Sequence, residues 1–202
     1  GQALEEENAL GIRSCSKFGY DRQLPYLVAQ NSASPLVLFE SFEKQYASGT
    51  YLEDRVQFSW NSYGTINSTA AHAGKKSFSS STTSAFLYRS GTRSLGYTLA
   101  APKAMQVKGW FRSKDVTGFI DPIAPAVTLN ALPAVPMKVV ARVGEWVQCE
   151  AAVNLPTGST AYSIDITCVH VAANSGTTWI DQLPVARHIR RPALWYVLPI
   201  QR

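Results

Sequence analysis

The chain has 202 residues, of which 46% are hydrophobic and 11% aromatic, and its formal net charge is +5 at pH 7. This composition supplies an apolar core, excludes a globally disordered chain and, at this length, suits one large β-sandwich or a domain with an arm. Much of the positive charge lies in R-H-I-R-R, from Arg187 to Arg191, and not along one element as in nucleic-acid binders, so we predict no nucleic-acid partner.

Residues 1–34 differ from the rest of the chain, with an acidic start and little sustained periodicity. We interpret them as an N-terminal arm or connector. Glutamates at residues 5–7 stand where a signal peptide would carry positive charge, so no signal peptide is predicted there. No window reaches the ~18 apolar residues of a membrane span, and no membrane insertion is predicted. The apolar side chains that could pack the arm are Ile12, Phe18, Tyr20 and Leu27.

From Leu36 onward, short runs rich in Val, Ile, Thr and aromatic residues alternate with Gly, Pro, Asn and Ser clusters. This is the pattern of β-strands separated by turns. The predicted strands are 35–42, 56–60, 76–79, 84–89, 94–99, 104–113, 125–129, 136–142, 146–153, 161–171, 177–181 and 183–189. Many short strands without a long stripe of helical period predict an all-β antiparallel sandwich, a jelly roll, over residues 35–202.

Two of these strands carry a tryptophan on a polar face. Successive side chains of a strand point to opposite sides, so each strand offers one apolar and one polar face. The polar faces contain Lys108, Trp110 and Arg112 in the first strand, and Trp146, Gln148 and Glu150 in the second. We expect Trp179, next to Ile180 in a closing strand, to belong to the core.

The three cysteines are too few for a disulfide framework and form no pair with zinc-binding spacing. Cys149 and Cys168 each occupy an apolar-phase position of a predicted strand. We predict buried free thiols, while a disulfide between these two stays open if their strands are adjacent.

Five pieces of sequence resemble, in order, the galactose-binding-like jelly roll of carbohydrate-binding modules. They are L-F-E-S-F-E in the run from Leu36, A-H-A-G-K-K-S-F (71–78), G-E-W-V-Q (144–148), N-L-P-T-G (154–158) and T-W-I-D-Q-L-P-V (178–185). In that family an early F-E strand, an H-x-G-K-x-S loop, a late tryptophan strand and a closing I-D-D strand recur in this order. The resemblance spans roughly residues 36–189 and implies a non-catalytic carbohydrate-binding-like module.

The same family often holds a structural calcium ion near its chain-end strands. The resemblance implies as ligands Glu40 or Glu43, carbonyls of the loop at residues 75–76, and Asp181. Gln182 stands in place of the family's second aspartate, which leaves the site weaker or empty. Calcium takes about six to eight oxygens, so two carboxylates with carbonyls and water are adequate in number.

A second resemblance covers residues 8–32, where N-A-L-G and G-Y-D-R-Q-L-P-Y-L-V-A-Q-N-S precede F-E-S-F-E. This order is similar to the C-terminal region of YD-repeat (Rhs-like) surface proteins of Bacteroidetes. The resemblance implies a module of a larger exported protein, extracellular or at the cell surface, whose other modules are partners.

Glu40 and Glu43 raise the question of a catalytic acid and base. Three residues apart on a strand, they emerge on opposite faces, which argues against one shared cleft. One of them could hold an ion or anchor a loop, or both could be ordinary strand-end charges. The three histidines share no metal-ligand spacing, and no nucleophile with a placed His and Asp can be assembled, so we predict no enzyme.

Sugars stack their C–H faces on aromatic rings while neighbouring polar groups bond the hydroxyls. We therefore predict glycan contacts by Trp110 with Lys108 and Arg112. The predicted edge-type contacts are Trp60, Asn61 and Tyr63. The alternatives are that these tryptophans pack in the scaffold, that the chain is a structural or adhesive protein-interaction module without a small ligand, or that it is an accessory domain of a hydrolase.

Overall fold

A computed structural model describes residues 5–10, 12–19, 24–30, 32–33, 36–40, 42–43, 64–80, 85–89, 92–169, 176–187 and 196–197. The regular elements in these ranges are strands. They are β1 (Glu5–Glu7), β2 (Arg13–Gly19), β3 (Leu24–Gln30), β4 (Leu38–Glu40), β5 (Thr65–Asn67), β6 (Ser77–Ser80), β7 (Ala85–Arg89), β8 (Arg93–Ser94), β9 (Lys103–Asp115), β10 (Gly118–Ile120), β11 (Ile123–Leu129), β12 (Val135–Pro136), β13 (Lys138–Val143), β14 (Trp146–Leu155), β15 (Ala161–Tyr162), β16 (Ile164–Val169), β17 (Thr177–Asp181), β18 (Leu183–Arg187) and β19 (Tyr196–Val197). Among the described residues no helix is long and apolar enough to cross a membrane.

Two antiparallel sheets form a sandwich, and the chain alternates between them as in a jelly roll. The larger sheet has the order β13-β14-β9-β17-β6-β5, with β10 beside β9 and with β18 joining β9 to β4. The smaller sheet has the order β12-β11-β16-β7. The all-β antiparallel sandwich predicted from the strand pattern is confirmed.

The core lies between these sheets because the strands alternate apolar and polar side chains. In β9, Met105, Val107 and Phe111 are fully buried, and the side chains between them are half-buried. Ile164 and Ile166 are their counterparts in the smaller sheet. Each such side chain contributes about 1.5–3 kcal/mol through burial. The core therefore fixes which face of β9 remains outside.

Cys149 and Cys168 lie in opposite sheets, on β14 and β16. Both are buried free thiols, as is Cys15. Burial raises the pKa of Cys149 to about 11. The prediction of buried free thiols is confirmed.

Some predicted strands are shorter in the structure. Of the predicted strand 94–99, only the start belongs to β8, because the following residues bond elsewhere: Leu95 and Leu99 donate to the carbonyls of Thr160 and Ser159. Of the described part of the predicted strand 35–42, Leu38–Glu40 form β4, whereas Phe42 has a positive φ of 60°. The predicted strand 56–60 lies outside the described residues.

The N-terminal arm is more regular than its sequence indicates. Strands β1, β2 and β3 form a separate sheet with β19. This sheet packs on the outward side of β4 and β18 in a small second core, which consists of Cys15, Ala29, Val37, Phe39 and Ala186. Ile12, predicted to pack, is 40% exposed, and the other three predicted packing side chains are outside the described set. The division at residue 34 stays a prediction.

Candidate functional site

Asp181, the last residue of β17, holds the start of the loop at residues 71–76. Its Oδ2 accepts the backbone N–H groups of His72 at 2.8 Å and Ala73 at 3.0 Å. Its Oδ1 accepts the N–H of Gln182 at 2.7 Å. Asp181 is 0% exposed, and this burial raises its pKa to about 7, although the three N–H donors act in the opposite direction.

Glu43 holds the other end of the same loop. Its Oε1 accepts the backbone N–H groups of Lys75 and Lys76, both at 2.8 Å. Gly74 lies between the two anchored ends with φ of 74°, and a Cβ at this position would collide with Glu43 Oε1. The loop therefore needs glycine both for its backbone conformation and for the close approach of the carboxylate.

The predicted calcium ligands do not fit an ion well in this arrangement. Glu43 and Asp181 direct carboxylate oxygens at amide N–H groups, whose partial positive charge opposes a cation at the same oxygens. Glu40 is paired with Leu183 through the backbone, and its side chain is not described. In the described ranges no three His, Cys, Asp or Glu side chains form a group that could hold a metal. Calcium at this place stays a prediction of the family resemblance, against which these N–H contacts argue.

His72 covers one face of Trp110. The two rings are stacked with centroids 4.0 Å apart and an interplanar angle of 12°. His72 also meets Trp146 edge-on, at 5.7 Å and 73°, and its Nδ1 is 3.1 Å from Oε1 of Gln182. Burial lowers the pKa of His72, which favours a neutral imidazole whose Nδ1–H donates to the amide oxygen.

A polar network lies two residues along β9 from Trp110. The ammonium of Lys108 is 3.0 Å from Oε2 of Glu150, and Nε2 of Gln106 donates to the same oxygen at 2.9 Å. Gln148 is the register partner of Trp110 across β9 and β14. All these side chains are half-buried. We call Gln106, Lys108, Trp110, Gln148 and Glu150 the outer face.

Arg112, the third residue predicted to touch ligand in β9, already has several partners. Its guanidinium lies 4.3 Å from the ring centre of Phe119 and 5.2 Å from that of Trp179. Its Nε and Nη2 donate to Glu145 at 3.0 and 2.5 Å. The structure thus brings Trp110 and Lys108 to one surface and commits Arg112 to a neighbouring cluster. Trp60, Asn61 and Tyr63 lie outside the described residues.

Trp179 corrects an expectation from the sequence. It is half-buried on the side away from the core, and its indole N–H donates to Thr69 at 3.3 Å. Ile180 occupies the core, and adjacent residues of one strand cannot point to the same side. The expectation that Trp179 belongs to the core was wrong.

The sequence did not reveal the contacts of His72 and Gln182. The A-H-A-G segment has the pattern of a turn, and its carboxylate partner comes 109 residues later in the chain. The signal present in the sequence was that two segments, H-A-G-K-K and I-D-Q, both resemble segments of the same jelly-roll family.

In the part of the chain that the structure describes, the arm covers one side of the larger sheet's outward surface. Val37, Phe39 and Ala186 lie beneath the arm, whereas the outer face on β9 and β14 is half-exposed. Ala186 is the register neighbour of Gln106. The outer face thus extends from the edge of the arm to the His72 loop.

No protein-family model and no curated protein matches the chain. A structure of TmCBM61 in complex with β-1,4-galactotriose is 14% identical with a TM-score of 0.42, over 72% of this chain and 100% of that one. The CBM22-1 xylan-binding domain from Paenibacillus barcinonensis Xyn10C is 16% identical with a TM-score of 0.41, over 74% and 92%. A Bacillus thuringiensis Cry1Da tryptic core variant is 8% identical with a TM-score of 0.41, over 64% and 21%. Values of this size describe a likeness of fold only.

Proposed function

We propose that the chain is a non-catalytic carbohydrate-binding module whose ligand lies on the outer face. The observation that carries this proposal is the half-buried indole of Trp110 beside the Lys108–Glu150–Gln106 network. An aromatic surface next to fixed donors and acceptors suits a sugar, which has both apolar C–H faces and hydroxyls. His72 occupies one ring face of Trp110, so the ligand contacts the part of the indole that His72 leaves exposed.

The charge of the outer face indicates a neutral saccharide. Lys108 and Glu150 carry opposite charges and are paired, so the surface has no net charge for an ionic ligand. Hydroxyls can donate to the Glu150 carboxylate and accept from the Lys108 ammonium, and the amide of Gln148 can do both. His72 stacks on the Trp110 ring and is itself met edge-on by Trp146, so the indole is held in place beforehand, which lowers the entropy that binding costs.

The wider context of the module belongs to the same proposal. The resemblance of residues 8–32 to YD-repeat surface proteins supports a place within a larger exported protein, extracellular or at the cell surface, with neighbouring modules as partners. Detection of the full-length protein by surface proteolysis or fractionation of intact cells tests this. Purely cytoplasmic recovery would contradict it.

Binding to an array of neutral oligosaccharides, followed by calorimetry on each positive, tests the ligand. We expect Trp110→Ala to weaken binding at least about ten-fold, or about 1.4 kcal/mol, and Trp110→Phe to retain most of it. Glu150→Gln is expected to weaken binding less. Arg142→Ala is the control, because Arg142 pairs with Asp121 at an exposed site.

The variants must keep the melting temperature and the circular dichroism spectrum of the parent protein. Absence of binding to every glycan would overturn the proposal and favour the structural or adhesive alternative. Binding that Trp110→Ala leaves unchanged would remove the outer face as the site.

A further inference from the structure

A second concave surface lies where the arm meets one end of the sandwich. The start of β2 and the segment 97–103 enclose a cleft of about 680 Å³, within the range of about 300–1,000 Å³ typical of small-molecule sites. The cleft shares no residue with the outer face. Among its lining residues are Ile12, Arg13, Leu36, Tyr97, Thr98 and Lys103.

Backbone hydrogen bonds hold the wall of the cleft that the sandwich supplies. Leu95 and Leu99 donate to the carbonyls of Thr160 and Ser159, at 2.8 and 2.9 Å, and Gly158 donates back to Leu99 at 2.8 Å. These bonds tie the segment before residue 100 to a turn of the sandwich. A binding wall that is ordered beforehand loses less entropy when a ligand arrives.

The arm supplies the opposite wall, which is tied at two points. Asn8 Oδ1 accepts the N–H groups of Leu10 and Ile12, both at 3.0 Å, and the carbonyl of Arg13 accepts the N–H of Ser32 at 3.0 Å. The cleft therefore exists only where arm and sandwich come together.

The lining combines an exposed aromatic ring, an apolar floor and groups that form hydrogen bonds. Tyr97 is 42% exposed, whereas Leu36 and Leu99, which also line the cleft, are 3% and 2% exposed. Thr98 and Lys103 add a hydroxyl and an ammonium. The hydroxyl of Ser32, next to the lining residue Ala33, is buried and has no hydrogen-bond partner among the described residues. Such a lining can satisfy both the apolar and the hydroxyl groups of a sugar.

Charges around the cleft balance. Arg13 pairs with Glu5 at 3.2 Å and Glu7 at 2.7 Å, and Lys103 adds a second positive charge. Among the described residues these two carboxylates, which lie outside the lining itself, offset the two cations that line the cleft. A neutral ligand rich in hydroxyls therefore fits this lining better than an acidic one.

We propose that the cleft between arm and sandwich is a second saccharide-binding site, which takes a short neutral oligosaccharide by stacking on Tyr97 and hydrogen bonding to Arg13, Thr98 and Lys103. The class of ligand rests on the proposed function, whereas the location does not. The arm becomes part of a binding site and is more than a connector.

The test is an NMR titration of the isotope-labelled whole chain with β-1,4-galactotriose, xylotriose, cellotriose and mannotriose, and with trigalacturonate as the charged comparison. We expect a neutral trisaccharide to shift the amide signals of residues 12–13 and 97–103. Tyr97→Ala should weaken binding at this site at least about ten-fold, through loss of the aromatic stacking surface, and leave outer-face binding unchanged. Val116→Ala, which is exposed and outside the lining, is the matched control.

The outcomes separate the two proposals. Shifts in the cleft that Tyr97→Ala removes and Trp110→Ala preserves support the second site. If Trp110→Ala abolishes saccharide binding and the amide signals of the cleft do not shift, the second site is overturned and the outer face remains supported. Preference for trigalacturonate overturns the neutral class, and no cleft shift with any trisaccharide at millimolar concentration overturns the site itself.

Discussion

The imidazole of His72 lies parallel to the indole of Trp110, with ring centres 4.0 Å apart. This is the position that the apolar face of a sugar would take on an open tryptophan. The ring that stacks on Trp110 thus comes from the protein's own loop at residues 71–76. A ligand of the outer face therefore contacts a Trp110 ring that is already held in place. The strength of that stack and of the loop that carries it can be measured.

We expect His72→Ala to lower the free energy of unfolding by about 0.5–1.5 kcal/mol, the usual contribution of an aromatic pair beyond its area. The variant also frees the Trp110 ring, so the tryptophan emission maximum should move to longer wavelength. Urea unfolding followed by fluorescence measures both. His72→Phe, which retains a ring, should restore most of the stability, and equal losses in the two variants would show that the stack contributes little.

Gly74→Ala is expected to destabilise the chain through two effects. A left-handed backbone costs a residue with a Cβ about 1–2 kcal/mol, and the new Cβ would also collide with Glu43 Oε1. Gly96→Ala is the matched control, because Gly96 has φ of 75° and a Cβ there would meet nothing within 4 Å. Chemical unfolding should show a larger loss for Gly74→Ala, and equal losses would remove the Glu43 contact as a constraint.

We predict that the contribution of Asp181 to the free energy of unfolding decreases as pH rises. Its folded-state pKa of about 7 lies above the ordinary value of 3.8, so the folded state binds more protons between these values. Its contribution is therefore most favourable below about pH 4, declines as pH rises to 7 and is constant above. Melting curves from pH 4 to 8 should decline more steeply for the parent than for Asp181→Asn.

The pKa of His72 is lowered in the folded state, and its effect on stability has the opposite sign. A histidine that is harder to protonate when folded adds stability as pH rises through 6.5. Both proteins are therefore compared in a His72→Phe background. Parallel curves over this range would mean that Asp181 is ionised throughout.

Calcium removal should leave the melting temperature unchanged. Three oxygens of Glu43 and Asp181 together accept five backbone N–H bonds, and the partial positive charge of these donors opposes a cation at the same oxygens. Melting with 1 mM calcium, on the order of the weakest extracellular calcium affinities, and with a chelator checks this. A midpoint that calcium raises in the parent but not in Glu43→Gln would establish the ion inferred from the family resemblance.

The strand pattern predicted much of the fold because strand alternation is a local property. The predicted strand 177–181 coincides with β17, and the inward and outward sides of β9 follow the predicted partition. The sequence did not indicate that the arm forms a sheet, because its strands show little alternation of apolar and polar residues. These strands are stabilised by pairing with one another and by the small core beneath them.

The candidate sites could be predicted only in part. Trp110 and Lys108 were found because they share the polar phase of one strand. His72, Gln182 and the cleft at Tyr97 were not, because their surroundings come from segments far apart in the chain.

The sequence alone determined the inward and outward sides of β9, since a period of two residues is set by the backbone of that strand. The tertiary structure decided which polar side chains meet. Asp181 contacts His72, and Arg13 shares a cleft with Tyr97, only because sheet order and the packing of the arm bring distant segments together. Those contacts depend on burial summed over the whole core, which no single segment encodes.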